Sequence, residues 1–401
     1  MSYDVILFGA TSFVGQITAG YLAKRVGTDR DVKWAIAGRN PTKLHDVALE
    51  TGATVPELIV DAGDDAAVRK MVSSTKLVIS TVGPYANYGT GVVAACAESG
   101  TDYCDLSGEP HWMAQMIDDY QAQASASGAR IVHACGFDSI PSDLGVWFLQ
   151  RHCADLYSQP AQRVELIVKA MKGGASGGTI ASMMNMMEEL SEDPSLRKVL
   201  TNPYALAPEG ARSGIRQPNP NRVREHHEEN LWLAPFVMAA TNSKIVHRSH
   251  ALLGAPWGDF EYSEEMATGE GPLGAVKAGA LAAGLGGFMA LASIGPTRSV
   301  LNRFVLPAPG EGPSPEAQEN GFFKIILRGS TLDGDVVRVQ VTGDRDPGYG
   351  STAKMLSESA LTLARTPQKV TPGGFWTPST AMGDSLIDAL TEHAGLSFTL
   401  L

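Results

Sequence analysis

The sequence has few of the residues that mark several protein classes. It has four cysteines, Cys96, Cys104, Cys135 and Cys153, in no CxxC pattern and with no metal-ligand spacing. That fits reduced thiols and excludes a disulfide scaffold or a thiolate metal centre, so no metal is expected. No basic run appears and the net charge is -11, which argues against a nucleic-acid partner. No charged-then-apolar leader precedes the first strand pattern, so a cytoplasmic protein is expected. Charged residues make up 19% and hydrophobic ones 44%, which excludes global disorder. At 401 residues the chain can hold two or three domains.

What is present begins at the N-terminus. Tyr3 to Phe8 is an apolar run of strand length, and it breaks into Gly9, Ala10, Thr11, Ser12, Phe13, Val14 and Gly15 before a helical pattern. Strand, glycine turn and helix in this order suit a pyrophosphate, because a helix N-terminus presents unpaired N–H groups and a positive dipole end. Gly9 permits the turn and Gly15 close helix packing, while Ser12 stands where a dinucleotide fingerprint often has its middle glycine. The second strand, Val32 to Ala37, ends in Gly38-Arg39-Asn40. An acidic residue there would bind the ribose 2'-hydroxyl of NAD; an arginine instead matches a 2'-phosphate, so NADP(H) is expected. The competing role for Arg39 is a solvated residue ahead of a helix that Asn40 caps and Pro41 opens.

Further strands are predicted at Leu58–Val60, Leu77–Val82, Tyr103–Leu106 and Arg130–Ala134. Strand and helix alternate, which predicts an α/β, doubly wound Rossmann sheet. Ligands lie outside the carboxyl ends of such strands. Asp61 therefore suits either the adenine side or a turn, and Val82, Gly83 and Pro84 should pass along the cofactor toward its reactive end.

The strings GATSFVG, AGRN, STVGPYANYG, ACAESGTDYCDLSGE and CGFDSIPSDLG, in that order, resemble the saccharopine dehydrogenase-like oxidoreductases, especially their trans-acting enoyl reductase branch. The resemblance is dense over residues 1–145 and thinner in SGGT at 176–179, in DPGYGSTAKM from Asp346 and in GGFWTPSTAMGDSLI from Gly373. It implies an NADP-binding Rossmann domain (1–145), an inserted α+β domain with a mostly antiparallel sheet (146–345), and a C-terminal segment (346–401) returning to the first domain. It also implies reduction of a lipid or polyketide acyl thioester presented by an acyl carrier or synthase. A saccharopine-type dehydrogenase acting on an amino-acid imine is the alternative, and would need a cationic cluster for which Arg212, Arg216, Arg222 and Arg224 are available. A non-catalytic NADP-binding, lipid-associated protein is the third reading. Oligomeric state stays open.

An enoyl thioester reduction needs an oxyanion donor and a proton source. The strand ends bring up Tyr85, Tyr88, Asp105, Glu109, His133, Asp138 and Ser139. Tyr85 is the first choice for catalysis, with Tyr88 and Asp138 beside it, against the competing role of packed aromatics for the tyrosines and a structural histidine for His133. Asp138 and Asp143 flank a Ser-Ile-Pro turn that they could simply hold together. In the second domain, Met183, Met184, Met186 and Met187 suit either a pliable lipid pocket or ordinary core packing. Residues 278–295 carry no charge and are rich in alanine and glycine. A buried helical hairpin is expected there; a helix lying on a membrane or covering a lipid substrate is the alternative, and a membrane span is disfavoured by the weak hydropathy.

Overall fold

The computed structural model describes residues 2–27, 32–173, 177–219, 221–294, 297 and 312–401. Its strands in chain order are β1 (Tyr3–Phe8), β2 (Trp34–Gly38), β3 (Glu57–Ile59), β4 (Thr75–Ser80), β5 (Asp102–Asp105), β6 (Arg130–Val132), β7 (Arg163–Lys172), β8 (Arg224–His226), β9 (Leu231–Pro235), β10 (Glu261–Gly269), β11 (Phe322–Ser330), β12 (Val336–Gly343), β13 (Gly374–Trp376) and β14 (Leu396–Leu400).

The first sheet runs β13-β6-β5-β4-β1-β2-β3 with every pair parallel. Buried on both faces, its strands read as continuous apolar runs such as Val5 to Phe8. The chain moves from β1 to β2 on one side and returns to β4 on the other, with Phe8 opposite both Ala37 and Ser80. The order of winding reverses between β1 and β4, and the turns after β1, β2 and β4 open at one edge, the place where such sheets take ligands.

The second sheet, β14-β12-β11-β7-β10-β9-β8, is antiparallel except for β7 against β10. The helix Ile140–Tyr157 leaves the first sheet and packs on β11 and β12. Gly145 makes this contact close, since a Cβ there would stand 3.0 Å from Leu327. One hydrophobic cluster runs from Val5 and Leu77 through Leu144 to Leu327 and Val339, so the two sheets share a core. The segment after residue 346 serves both sheets: β13 pairs with β6 in the first and β14 with β12 in the second.

The expected hairpin at 278–295 is corrected by a single helix, Gly271–Ala292, most of it exposed. Pro272 opens it, and the alanines and leucines that dominate it outweigh the propensity cost of Gly284, Gly286 and Gly287. By length and composition alone it is long and apolar enough to cross a membrane. Gly295, the last residue of the predicted stretch, lies outside the described residues, as does Ser176 of the SGGT string.

Candidate active site

The turn after β1 is held by its own small residues. Gly9 has φ +90°, in the left-handed region. Ser12 caps the helix Phe13–Val26, its Oγ accepting from the Gly15 N–H at 3.0 Å. The Ser12 hydroxyl donates to Thr81 Oγ1 at 3.1 Å, and Thr81 donates to the Gly9 carbonyl at 2.9 Å. The position after β4 therefore clamps the turn after β1. A Cβ on Gly15 would stand 2.2 Å from the Gly9 carbonyl oxygen, so only glycine lets the helix start this close. No acidic residue lies in the first turn of the helix, which leaves its N–H groups and dipole free for an anion.

Arg39 is exposed at the end of β2 and makes no hydrogen bond or ion pair among the described residues. Lys43, which the sequence reading missed, lies on the same cleft, its backbone N–H donating to the Asn40 cap at 3.0 Å. Two free cations beside the glycine turn fit the 2'-phosphate of NADP(H). Asp61 lines the same cleft while accepting from Gly63 N at 2.9 Å, so it is both turn residue and wall.

These groups open on one cleft of about 1950 Å3, well beyond the ~300–1,000 Å3 that a single small ligand fills. Gly9, Thr11, Ser12, Phe13 and Val14 form its floor at one end, whereas Ala10 and Gly15 are buried beneath. Val82, Gly83 and Pro84 continue the wall. The DPGYG string closes over the turn: Asp346 caps Tyr349 N and Gly350 N at 3.0 and 2.8 Å, and Tyr349 meets Phe13 edge-on at 5.0 Å.

Most of the catalytic candidates prove to be committed elsewhere. Tyr85, the first choice, is corrected: its ring is buried against Trp112 at 5.4 Å and its hydroxyl donates to the Ser80 carbonyl at 3.0 Å. Burial, with Asp105 nearby, pushes that phenol well above its ordinary value, so it is a poor proton donor. Glu109 accepts from Tyr85 N and Ala86 N, both at 2.9 Å, and so fixes the loop. Asp105 accepts from Ala134 N at 3.1 Å and stands 2.7 Å from His133 Nδ1, with both side chains buried. Ser139 donates to Asn242 Oδ1 at 2.9 Å and is fully buried. Asp143 accepts from the Ser249 hydroxyl and Ser379 N, which makes it a tie to the C-terminal helix.

Tyr88 and Asp138 remain. Tyr88 is exposed at the cleft, on the short helix Tyr85–Tyr88. Asp138 is half-buried on the cleft wall, and its pKa is raised to about 7 by desolvation and then by the charge of Glu264. Glu264, on β10, lines the same cleft and accepts from the Tyr262 hydroxyl at 2.6 Å and from Asn242 Nδ2 at 2.9 Å. Two carboxyl groups in one desolvated place push the first to hold its proton near neutral pH. No spacing in the sequence signals this pair; only the pairing of β10 with β7 and the seat of Asn242 bring Glu264 to the cleft.

One wall is greasy. Met183, Met186 and Met187 from the helix Gly177–Glu192 line it together with Ala282, Leu285 and Met289 from Gly271–Ala292. The two stretches pack on each other through Met187, Phe288 and Ala292, with Met184 buried in the same cluster. Asn87 fastens the methionine helix to the Rossmann side, donating to Asn185 Oδ1 at 3.1 Å.

The saccharopine dehydrogenase NADP binding domain family matches residues 5–132. A Mycobacterium tuberculosis protein whose name proposes a trans-acting enoyl reductase is 40% identical over 98% of this chain and 96% of its own length. A trans-acting enoyl reductase of Mycobacterium ulcerans is 36% identical over 97% of this chain and 96% of its own. Among solved structures, apo saccharopine dehydrogenase (L-Glu forming) of Saccharomyces cerevisiae superposes with a TM-score of 0.54 at 12% identity over the whole of both chains, a likeness of fold alone.

Proposed function

The chain belongs to the saccharopine dehydrogenase-like oxidoreductases, in the branch of the trans-acting enoyl reductases, and we propose that it uses NADPH to reduce the carbon–carbon double bond of a carrier-bound lipid or polyketide acyl thioester. One observation carries this reading: the phosphate cradle, a carboxyl group that keeps its proton near neutral pH, and a wall of methionine, alanine and leucine lie on one continuous cleft.

The turn at Gly9 to Gly15 would hold the pyrophosphate, with Arg39 and Lys43 on the 2'-phosphate. NADPH, when bound, supplies a hydride to the β-carbon of the enoyl group. Asp138 holds the proton that reaches the α-carbon, so atoms and charge balance as one hydride plus one proton across the double bond. Glu264 keeps Asp138 protonated, and the Met and Ala/Leu wall orients the acyl chain and excludes water from it. Tyr88, exposed on the same cleft, is assigned to the thioester end.

The dehydrogenase alternative wants several free cations for a polycarboxylate. Of the four arginines considered, Arg224 is paired with Glu165 and Glu265, and Arg212 with Asp118. Arg216 alone lines the cleft without a partner among the described residues. That disfavours an amino-acid imine. The outward Leu273 and Val276, 65% and 68% exposed on the Gly271–Ala292 helix, suit contact with a membrane surface from which a greasy substrate enters; flotation with liposomes before and after charge is placed at Val276 tests this.

The deciding experiment follows NADPH absorbance with enoyl thioesters of increasing chain length, with saccharopine plus NADP as the opposing control. Oxidation that strengthens with chain length is expected. Turnover of saccharopine with none of any enoyl thioester would overturn the reading.

A further inference from the structure

The helix Ala239–Leu252 lays Ala240, Ser243, Lys244 and His247 on the cleft wall, the i, i+3, i+4, i+7 stripe of one helical face. His247 is the odd member. It is 1% exposed, and neither ring nitrogen has a hydrogen-bond partner among the described residues. A buried polar group left unpaired is costly, on the order of 1–3 kcal/mol, and natural structures leave few of them. The other fully buried polar side chains of this helix are satisfied, among them Asn242 by Glu264, Arg248 by the Leu206 and Phe375 carbonyls and Ser249 by Asp143, while the half-buried His250 pairs through Nε2 with the Gly258 carbonyl and leaves only Nδ1 unpaired.

The surroundings define what could complete it. Tyr204, Phe260 and Tyr262 stand around the imidazole with ring centroids at 4.7, 5.8 and 6.4 Å. Lys244 is one turn back, donating to the Leu200 and Ala240 carbonyls at 2.8 and 2.7 Å. It repels a cation while spending most of its own donors on backbone. Burial first, then the nearby His250 and Lys244, hold His247 neutral, its pKa lowered to about 3. A neutral imidazole offers one N–H donor and one acceptor nitrogen. The two nitrogens point apart, so a ligand group meets one of them at a time; an uncharged amide can meet either, its carbonyl accepting from the N–H or its N–H donating to the bare nitrogen, and aromatic faces also favour its flat shape.

We propose that His247 is a specificity-determining residue that receives an uncharged amide of the substrate, the amide nearest the sulfur on the thiol arm by which carriers and coenzymes present an acyl chain. This rests on the acyl-thioester reading above and adds the thiol arm beyond the sulfur, which that reading did not assign. Thr241 touches the Gly108 carbonyl at 3.3 Å, beside the cofactor side of the cleft. His247 lies six residues further along the helix, a rise of about 9 Å, which sets the amide apart from the reacting carbons as the arm requires.

The test compares three thioesters of one enoyl acid: S-butyl, which has no amide, pantetheine, and coenzyme A. The wild type should favour pantetheine over S-butyl by about tenfold in kcat/KM, the worth of one well-made hydrogen bond. His247→Phe should bring that ratio close to one, and His247→Gln, which keeps a donor and an acceptor, should restore part of it. His247→Met replaces the Phe variant if near-ultraviolet circular dichroism shows that the latter is not native. A further gain with coenzyme A assigns the arm to the free coenzyme and no gain assigns it to a carrier; both support the amide. A ratio that is near one in the wild type, or unchanged in His247→Phe, overturns the proposal. If the wild type reduces no thioester, the acyl-reductase reading fails by itself. Calorimetric binding of pantetheine then decides: binding that His247→Phe abolishes upholds the site, and equal or absent binding overturns it.

Discussion

The Tyr85 hydroxyl donates to the Ser80 carbonyl at 3.0 Å, back into the strand that precedes it rather than out toward the cleft. Replacing Tyr85 with Phe should therefore leave turnover within a factor of about three. The lost hydrogen bond should cost about 1 kcal/mol of stability. Thermal denaturation and NADPH-linked kinetics on the same preparation check both parts.

Asp138 should behave in the opposite way. As a proton donor it works only when protonated, so kcat should fall as pH rises through about 7. Asp138→Asn should lower kcat by roughly 10²–10⁴ and flatten that limb. Removing the nearby charge with Glu264→Gln should move the limb to lower pH, because that charge helps to raise the Asp138 value. Stability carries the same sign. Folding raises this pKa from 3.8 to about 7, so the contribution is full below about pH 4 and is lost as pH rises to 7. Above pH 7 the Asn variant should melt higher than the wild type.

Arg39→Ala should weaken NADPH binding by about 10- to 100-fold, the range of a charge-assisted hydrogen bond, and leave NADH binding nearly unchanged. Lys43→Ala should show the same selectivity with a smaller loss, since an ammonium meets phosphate as a point charge rather than a fork. Fluorescence titration with both nucleotides measures this; equal losses for NADH would remove the phosphate role.

Gly15→Ala puts a methyl group 2.2 Å from the Gly9 carbonyl oxygen and 2.8 Å from Ser12 Oγ. The helix must retreat from the turn. Nucleotide affinity should drop for NADPH and NADH alike, with a stability loss of about 1–3 kcal/mol, readable by urea denaturation.

The acyl wall predicts a chain-length signature. Each added methylene buried there is worth about 0.8 kcal/mol, so kcat/KM should climb with chain length in the wild type. Met289→Ser, which places a hydroxyl beside Met187 and Phe288 in the same cluster, should flatten that climb and spare the shortest substrates.

What the sequence disclosed follows from range. The turn from Gly9 to Gly15 was legible because a strand, two glycines and a capping serine lie within a dozen residues and their geometry is local. Arg39 was legible because its place at the end of β2 follows from the alternation of strands. The structural role of His133 was legible from its place within an apolar strand. Tyr85 and Ser139 were not, since each side chain is claimed by a partner that only the fold supplies: Ser80 and Asn242. Glu264 and His247 carry no motif at all, and they reach the cleft because β10 pairs with β7 and the helix Ala239–Leu252 packs across it. The methionine and Ala/Gly stretches were each noticed alone, but their shared wall is a tertiary fact. The single helix at Gly271–Ala292 was missed because an uncharged, alanine- and glycine-rich stretch suits a buried hairpin equally well, while helix propensity summed over its alanines and leucines prevails.

The way the last part of the chain is divided between β13 and β14 bears on biogenesis. Both strands are outermost, one on each sheet, so until residues 374–400 have been synthesised β6 and β12 each present a row of unpaired backbone groups to another nascent chain. The ribosome thus delivers two adhesive seams that stay open until residues 374–400 close them, and a chain cut within those residues is prone to clump rather than merely less active.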